Sequence, residues 1–187
     1  AGIPLVLEAM QQQTNHDNIP ANINIVQAKA FFSKEKTSLK RGENVFFTGN
    51  SNTPLHAITA NDAKSIILQG GNSFLNASPG DDLALMTAKR DELGNVIFKY
   101  SQTYEDLTVF GRELVVQINN HDEIAMIGGQ YEPSINLVTT PKFTATDALS
   151  NAFVHFDDLP TDTPEFLTQP ELMVYADGIN DPVLAYV

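Results

Sequence analysis

No cysteine occurs in the 187 residues. This excludes a disulfide framework, a thiol nucleophile, an iron–sulfur cluster and any cysteine zinc site, and it leaves the redox compartment open. Long apolar runs are missing as well. No window approaches the roughly 18 consecutive apolar residues of a membrane helix. Cations are scarce, with 11 Lys and Arg against 23 Asp and Glu and a formal net charge of −12. A nucleic-acid binder needs cations to displace phosphate counterions, so this balance argues against one. The start, Ala1-Gly2-Ile3-Pro4, lacks the charged and apolar regions of a signal peptide. What is present, 42% hydrophobic and 18% charged residues, fits a folded globular chain.

The catalytic patterns are missing too. A zinc-protease helix needs His-Glu-x-x-His, two ligands one turn apart with a base between them. The nearest string, His121-Asp122-Glu123-Ile124-Ala125, lacks the second histidine and falls at a turn. His16, His56, His121 and His155 stand at no ligand spacing and read as surface or packing residues. There is no Gly-x-Ser-x-Gly elbow and no Gly-x-x-x-x-Gly-Lys phosphate loop. Asp81-Asp82 and Asp157-Asp158 are conceivable hydrolytic pairs, but adjacent loop acids more often cap helices or face solvent. Asp177-Gly178-Ile179-Asn180-Asp181 offers oxygen ligands for calcium, but in an order that suits a β-turn better. The chain itself therefore reads as a non-enzyme.

Charge is unevenly spread. Lys29, Lys34, Lys36, Lys40 and Arg41 crowd one segment, whereas Phe143 to Val187 holds eight acids and no Lys or Arg. Such a stretch is either a solvated face or one turned toward a partner. Residues 23–49 read as strands, with Ile23, Ile25, Val26, Ala28, Ala30 and Phe32 alternating with polar neighbours and Val45-Phe46-Phe47 following. A helix then spans Ala63, Ile66, Ile67, Gly70, Phe74 and Leu75, capped by Thr59 or Asn61 and ended by Pro79-Gly80. Its Gly70-Gly71 pair costs about 1 kcal/mol per glycine, which implies a close-packed neighbour. Four strands follow as an antiparallel meander: Leu83 to Lys89, Val96 to Tyr104, Gly111 to Ile118 and Glu123 to Ile127. A second unit starts after Leu137-Val138-Thr139-Thr140-Pro141. Thr144 caps a helix bearing Ala148, Leu149, Ala152, Phe153 and Phe156. A polar stretch, Asp157 to Pro170, leads to a hairpin of Leu172–Tyr175 and Val183–Val187. The fold class is α+β, two helix-on-antiparallel-sheet units.

One string in the meander points further: Gln102-Thr103-Tyr104, then Val109-Phe110-Gly111-Arg112-Glu113-Leu114-Val115-Val116. It resembles the fungalysin/thermolysin propeptide signature, whose family-motif positions fall here on Gln102, Tyr104, Val109, Phe110, Gly111, Glu113 and Leu114. Asp106 and Thr108 stand where that family has Gly and Pro, so the bend before Val109 is expected to follow its own path. Downstream, Thr144, Ala145 and Ala148, then Pro170 to Tyr175 and Leu184-Ala185-Tyr186, are similar to a PepSY module.

The resemblance covers residues 60–187. It divides the chain into an N-terminal extension with strands (1–58), a propeptide-like domain (59–136) and a PepSY-like domain (137–187). It implies the pro-region of a secreted, vibriolysin-like zinc metalloprotease, exported with its signal peptide removed. Such a segment acts as intramolecular chaperone and, after autoprocessing, as non-covalent inhibitor. It implies no catalytic or metal-binding residue in this chain; the zinc, with calcium, would belong to the mature thermolysin-like protease of the same precursor. The partner contacts then fall on Leu184, Ala185, Tyr186 and Val187. The rival readings are a free-standing PepSY-type module that binds a protease or matrix component, and a glycan hydrolase using Asp157 and Asp158.

Overall fold

The computed structural model describes residues 21–34, 38–50, 52–154 and 170–187. Helix α1 (Ala21–Phe32) leads to strand β1 (Asn44–Thr48). Helix α2 (Ala60–Ser65), a π-turn (Ile66–Gly70) and helix α3 (Asn72–Leu75) follow. Then come β2 (Asp81–Arg90), β3 (Val96–Tyr104), β4 (Leu107–Ile118) and β5 (Ile124–Gln130). Helix α4 (Ala145–Val154), β6 (Leu172–Tyr175) and β7 (Val183–Tyr186) complete the described order. The sheet runs β1-β5-β4-β3-β2, all antiparallel, and β6 joins it by a parallel pairing to β4. The α+β class is as expected.

Residues 23–32 correct the expectation of strands: they are helical. Ala28 and Phe32, one turn apart, are buried, while Val26 is exposed. The alternation of β-branched residues at the start hid this 3.6-residue spacing. The glycine argument holds. A Cβ on Gly70 would come within 2.3 Å of the Ala28 Cβ, so α1 crosses the π-turn at a distance only glycine permits. Thr59, rather than Asn61, caps α2, and Asp62 completes a capping box. The helix ends at Asn76, in the left-handed conformation, before Pro79-Gly80 is reached.

The helices cover one face of the sheet. Phe32, Phe47 and Phe74 meet edge-on and stacked beneath α1, and Ile66, Ile67, Leu114, Val116 and Ile127 fill the centre. A second, smaller cluster joins Tyr104, Val109, Ile135, Val174 and Ala176 at the far end of β3 and β4. Thr144 caps α4 as expected, through a reciprocal pair with Asp147 that holds this carboxyl below its ordinary range. The Phe153 side chain, Phe156, residues 157–169 with Asp157-Asp158, His16 and His155 lie outside the described residues.

Candidate functional site

The signature string builds a distorted end of the sheet. β3 and β4 turn at Glu105-Asp106, both with positive φ (45° and 68°), a two-residue hairpin turn that tolerates Asp where glycine is the usual choice. β4 therefore begins at Leu107, earlier than the expected Gly111. Ser101 then pairs with Glu113 but Thr103 with Thr108, so Gln102 faces the whole run Val109 to Arg112. This is a large bulge, and it bends β4 away from β3. Gly111 sits within it at φ +70°, a conformation that a side chain would strain.

Each motif residue now has a physical task. Val109, lifted off the β3 ladder, pairs with Val174 of β6. Tyr104 packs in the second cluster beside it, and Leu114 returns to the main core. Glu113 pairs with Lys99 at 2.8 Å. Phe110 is turned outward and stacks on Tyr175, ring centroids 6.2 Å apart. Gln102, fully buried, uses its side-chain amide as a substitute strand. Its Nε2 donates to the Glu132 carbonyl (2.9 Å), and its Oε1 accepts from the Glu132 N–H (2.8 Å).

Glu132, with no side-chain exposure, is the centre of the joint. Arg41 Nε reaches its Oε1 at 2.7 Å and Arg112 Nη2 its Oε2 at 3.2 Å. Arg112 also donates to the Ala176 carbonyl (2.7 Å), and Arg41 to Asp181 Oδ1 (2.9 Å). A buried carboxylate is tolerated only when paired and hydrogen-bonded, and removing one side of such a pair costs about 3–5 kcal/mol. The Arg41–Asp181 arm is different: Asp181 is 96% exposed, so solvent screens it to about 0–1 kcal/mol. Beside the joint, Asp81 accepts the Tyr131 hydroxyl (2.7 Å) and the Ser78 N–H (2.6 Å). Burial raises the Asp81 carboxyl above its ordinary range despite these donors and also pushes the Tyr131 hydroxyl up. Asp81 and Asp82 therefore start a strand, Asp82 pairing with Lys64 at 2.7 Å.

Sequence reading passed over Glu132 and Tyr131 and gave Arg41, Arg112 and Asp81 no part in this joint. Their partners lie as far as 140 residues apart along the chain, and no local pattern marks them. Asp177 proves to organise a turn, accepting the Ile179 and Asn180 N–H groups, which hold its carboxyl at about 2. His56 bridges Glu123, and His121 lies at the β4–β5 turn.

The expected contact residues lie on the outer strand. Glu171 and Val187 exchange both backbone hydrogen bonds at 3.0 Å, which sets the alternation along β6–β7. Val183, Ala185 and Val187 thus turn their backbone toward β6, and Leu184 and Tyr186 turn theirs to the opposite edge. Among the described residues, β7 pairs only with β6. Leu184 packs on the second cluster, Tyr186 donates its hydroxyl to the Phe143 carbonyl (3.0 Å), and Val187 is exposed.

Residues 81–131 fit the model of the Fungalysin/Thermolysin Propeptide Motif. The matched stretch is β2 through Tyr131, and its two end residues are the hydrogen-bonded pair Asp81 and Tyr131. It supports a propeptide of a thermolysin-family protease, a kind of segment that is not itself the catalyst. No curated protein matches the chain. No helix among the described residues is long and apolar enough to cross a membrane.

Proposed function

We propose that the chain is the pro-region of a secreted, vibriolysin-like zinc metalloprotease, assisting the folding of that protease and then inhibiting it. The observation that carries this reading is the motif match over 81–131. The zinc and any calcium belong to the protease, and residues 137–187 form a PepSY-like unit. Two features agree with a binding role. The hairpin offers a strand edge at Leu184 and Tyr186, a form of surface that extended peptide segments and clefts use for main-chain pairing. Outward apolar side chains lie beside it: Phe110, Tyr175 and Val183. A tight inhibitor ordinarily buries about 1,600 Å² in all, more than one strand supplies, so contact extends over this neighbouring surface.

In this reading β7 and what adjoins it lie along the protease cleft as a cleaved product does. Chaperone action follows if the same surface binds the protease's folding transition state more tightly than its unfolded chain.

The first test is the reading frame beyond Val187: a His-Glu-x-x-His segment downstream supports the pro-region, and a stop codon favours the free-standing module. The second uses the mature protease so encoded. Deleting the last eight residues, or substituting Ala185→Glu on β7 together with Val187→Glu just beyond it, is expected to weaken inhibition at least about tenfold, some 1.4 kcal/mol. An unchanged inhibition constant would remove β7 from the interface. Adding the chain in trans to denatured mature protease should speed recovery of activity; an unaltered rate would leave inhibition without folding assistance.

A further inference from the structure

The β6–β7 hairpin is held to the main sheet, among the described residues, by little apolar surface. There is one bridged pair with β4, Val109 with Val174, and the second cluster, to which the hairpin contributes Val174, Ala176 and Leu184. Outside, Tyr175 stacks on Phe110 of β4, and the polar hold comes chiefly from two directions. Arg112 ties β4 to the Ala176 carbonyl, whereas Arg41 arrives from the loop between α1 and β1. That loop also touches the hairpin's own turn: a Cβ on Gly42 would meet the Gly178 carbonyl oxygen at 2.7 Å. Gly42 and Gly178 both have positive φ, +78° and +79°, so this backbone contact depends on glycine at each.

We propose that Arg41 is a latch: a positioning residue by which the N-terminal segment holds the β6–β7 hairpin in place, so that its loss releases the hairpin while the main sheet stays folded. The geometry requires an arginine. Nε is committed to buried Glu132 and Nη1 to Asp181, two carboxylates on separate segments. A planar fork spans both, and the single nitrogen of lysine does not. Glu132 is the fixed post, because Gln102 pins its backbone to the main sheet. Arg41 thus converts a stiff point of the sheet into a grip on a weakly packed element, of the kind that opens first by local unfolding. The latch stands on this geometry alone; its consequence, that residues far from β7 govern inhibition, rests on the pro-region reading.

Hydrogen exchange on the full chain tests it. In Arg41→Ala and Arg41→Lys, the exchange of the hairpin amides of Met173, Tyr175, Val183 and Ala185 should accelerate about three- to fivefold more than that of Phe98 and Tyr100 in β3, in keeping with a solvent-screened Asp181 arm. Gly42→Ala, which attacks the same contact through the backbone, should reproduce the pattern should the arginine variants fold poorly. Unchanged hairpin rates, equal acceleration in β3, or full protection with lysine would each overturn the latch. Inhibition by the same variants is measured separately. Selective hairpin exchange with undiminished inhibition would leave the latch standing and remove the hairpin from the protease interface.

Discussion

In the main sheet, β1 to β5 and the helices α1 to α3 share one continuous apolar core, with glycine allowing α1 to approach within contact of the π-turn. Among the described residues, the β6–β7 hairpin has a share in a cluster of five buried residues, one strand pairing and one ring stack with β4, and leans on arginines that reach it from two other segments. Apolar burial is non-directional and grows with area, so the first region stays stable whatever its edges do. Ion pairs and hydrogen bonds are directional and act at fixed distances, so the second holds one position but yields to single changes. The Glu132 joint sits between them and belongs to both.

Perturbations that separate these two kinds of hold follow in order of size. Glu132→Ala leaves Arg41 and Arg112 without their buried partner and should cost about 3–5 kcal/mol in denaturant unfolding. A cost below about 1 kcal/mol would mean that the joint is not a shared post. Gly70→Ala drives a methyl into Ala28 and should cost about 1–3 kcal/mol, with exchange accelerated throughout the main sheet. Val109→Ala removes apolar volume from the smaller cluster and should cost about 2 kcal/mol, its exchange effects centred on β6 and β7. Acceleration confined to β2 and β3 would contradict that division. Asp181→Asn, acting on the screened arm alone, should cost less than about 1 kcal/mol.

Acid separates the regions as well. The Asp81 carboxyl, raised by burial, binds its proton more readily in the folded chain than in the unfolded one. Its ionisation therefore costs stability as pH rises through the interval above the usual 3.8. The stability of Asp81→Asn relative to the parent should increase from about pH 3 to pH 7, and a flat difference would refute that assignment. Asp177 has the opposite sign. Held at about 2 by the N–H donors of its turn, it supports the hairpin above pH 3.8, and that support fades as pH falls toward 2. Protection at Ile179 and Asn180, taken relative to the intrinsic exchange rate at each pH, should fall over that interval in the parent and stay level in Asp177→Ala.

The elements that sequence revealed are those set by local chemistry. The caps at Thr59 and Thr144 and the meander's polar turns all act within a few residues of where they are written, and Gly70-Gly71 marked a close approach without naming its partner. Helix α1 escaped because Ile23, Ile25 and Val26 read as a strand, while the burial of Ala28 and Phe32 is decided by the distant π-turn and Phe47. The string Val109-Phe110-Gly111-Arg112 was legible as a signature, but not as a bulge, since a bulge exists only in the register between two strands. The ionic joint was illegible for the same reason. Arg41 looked like one more cation in a basic run, and nothing in the sequence around Glu132 marks it as a buried partner.

The measurement closest to the central claim is the inhibition constant of the chain against the mature thermolysin-like protease that the pro-region reading assigns to the same precursor. Tight, stoichiometric inhibition that weakens at least about tenfold with Ala185→Glu and Val187→Glu is the predicted result. Full proteolytic activity in the presence of excess folded chain would contradict it.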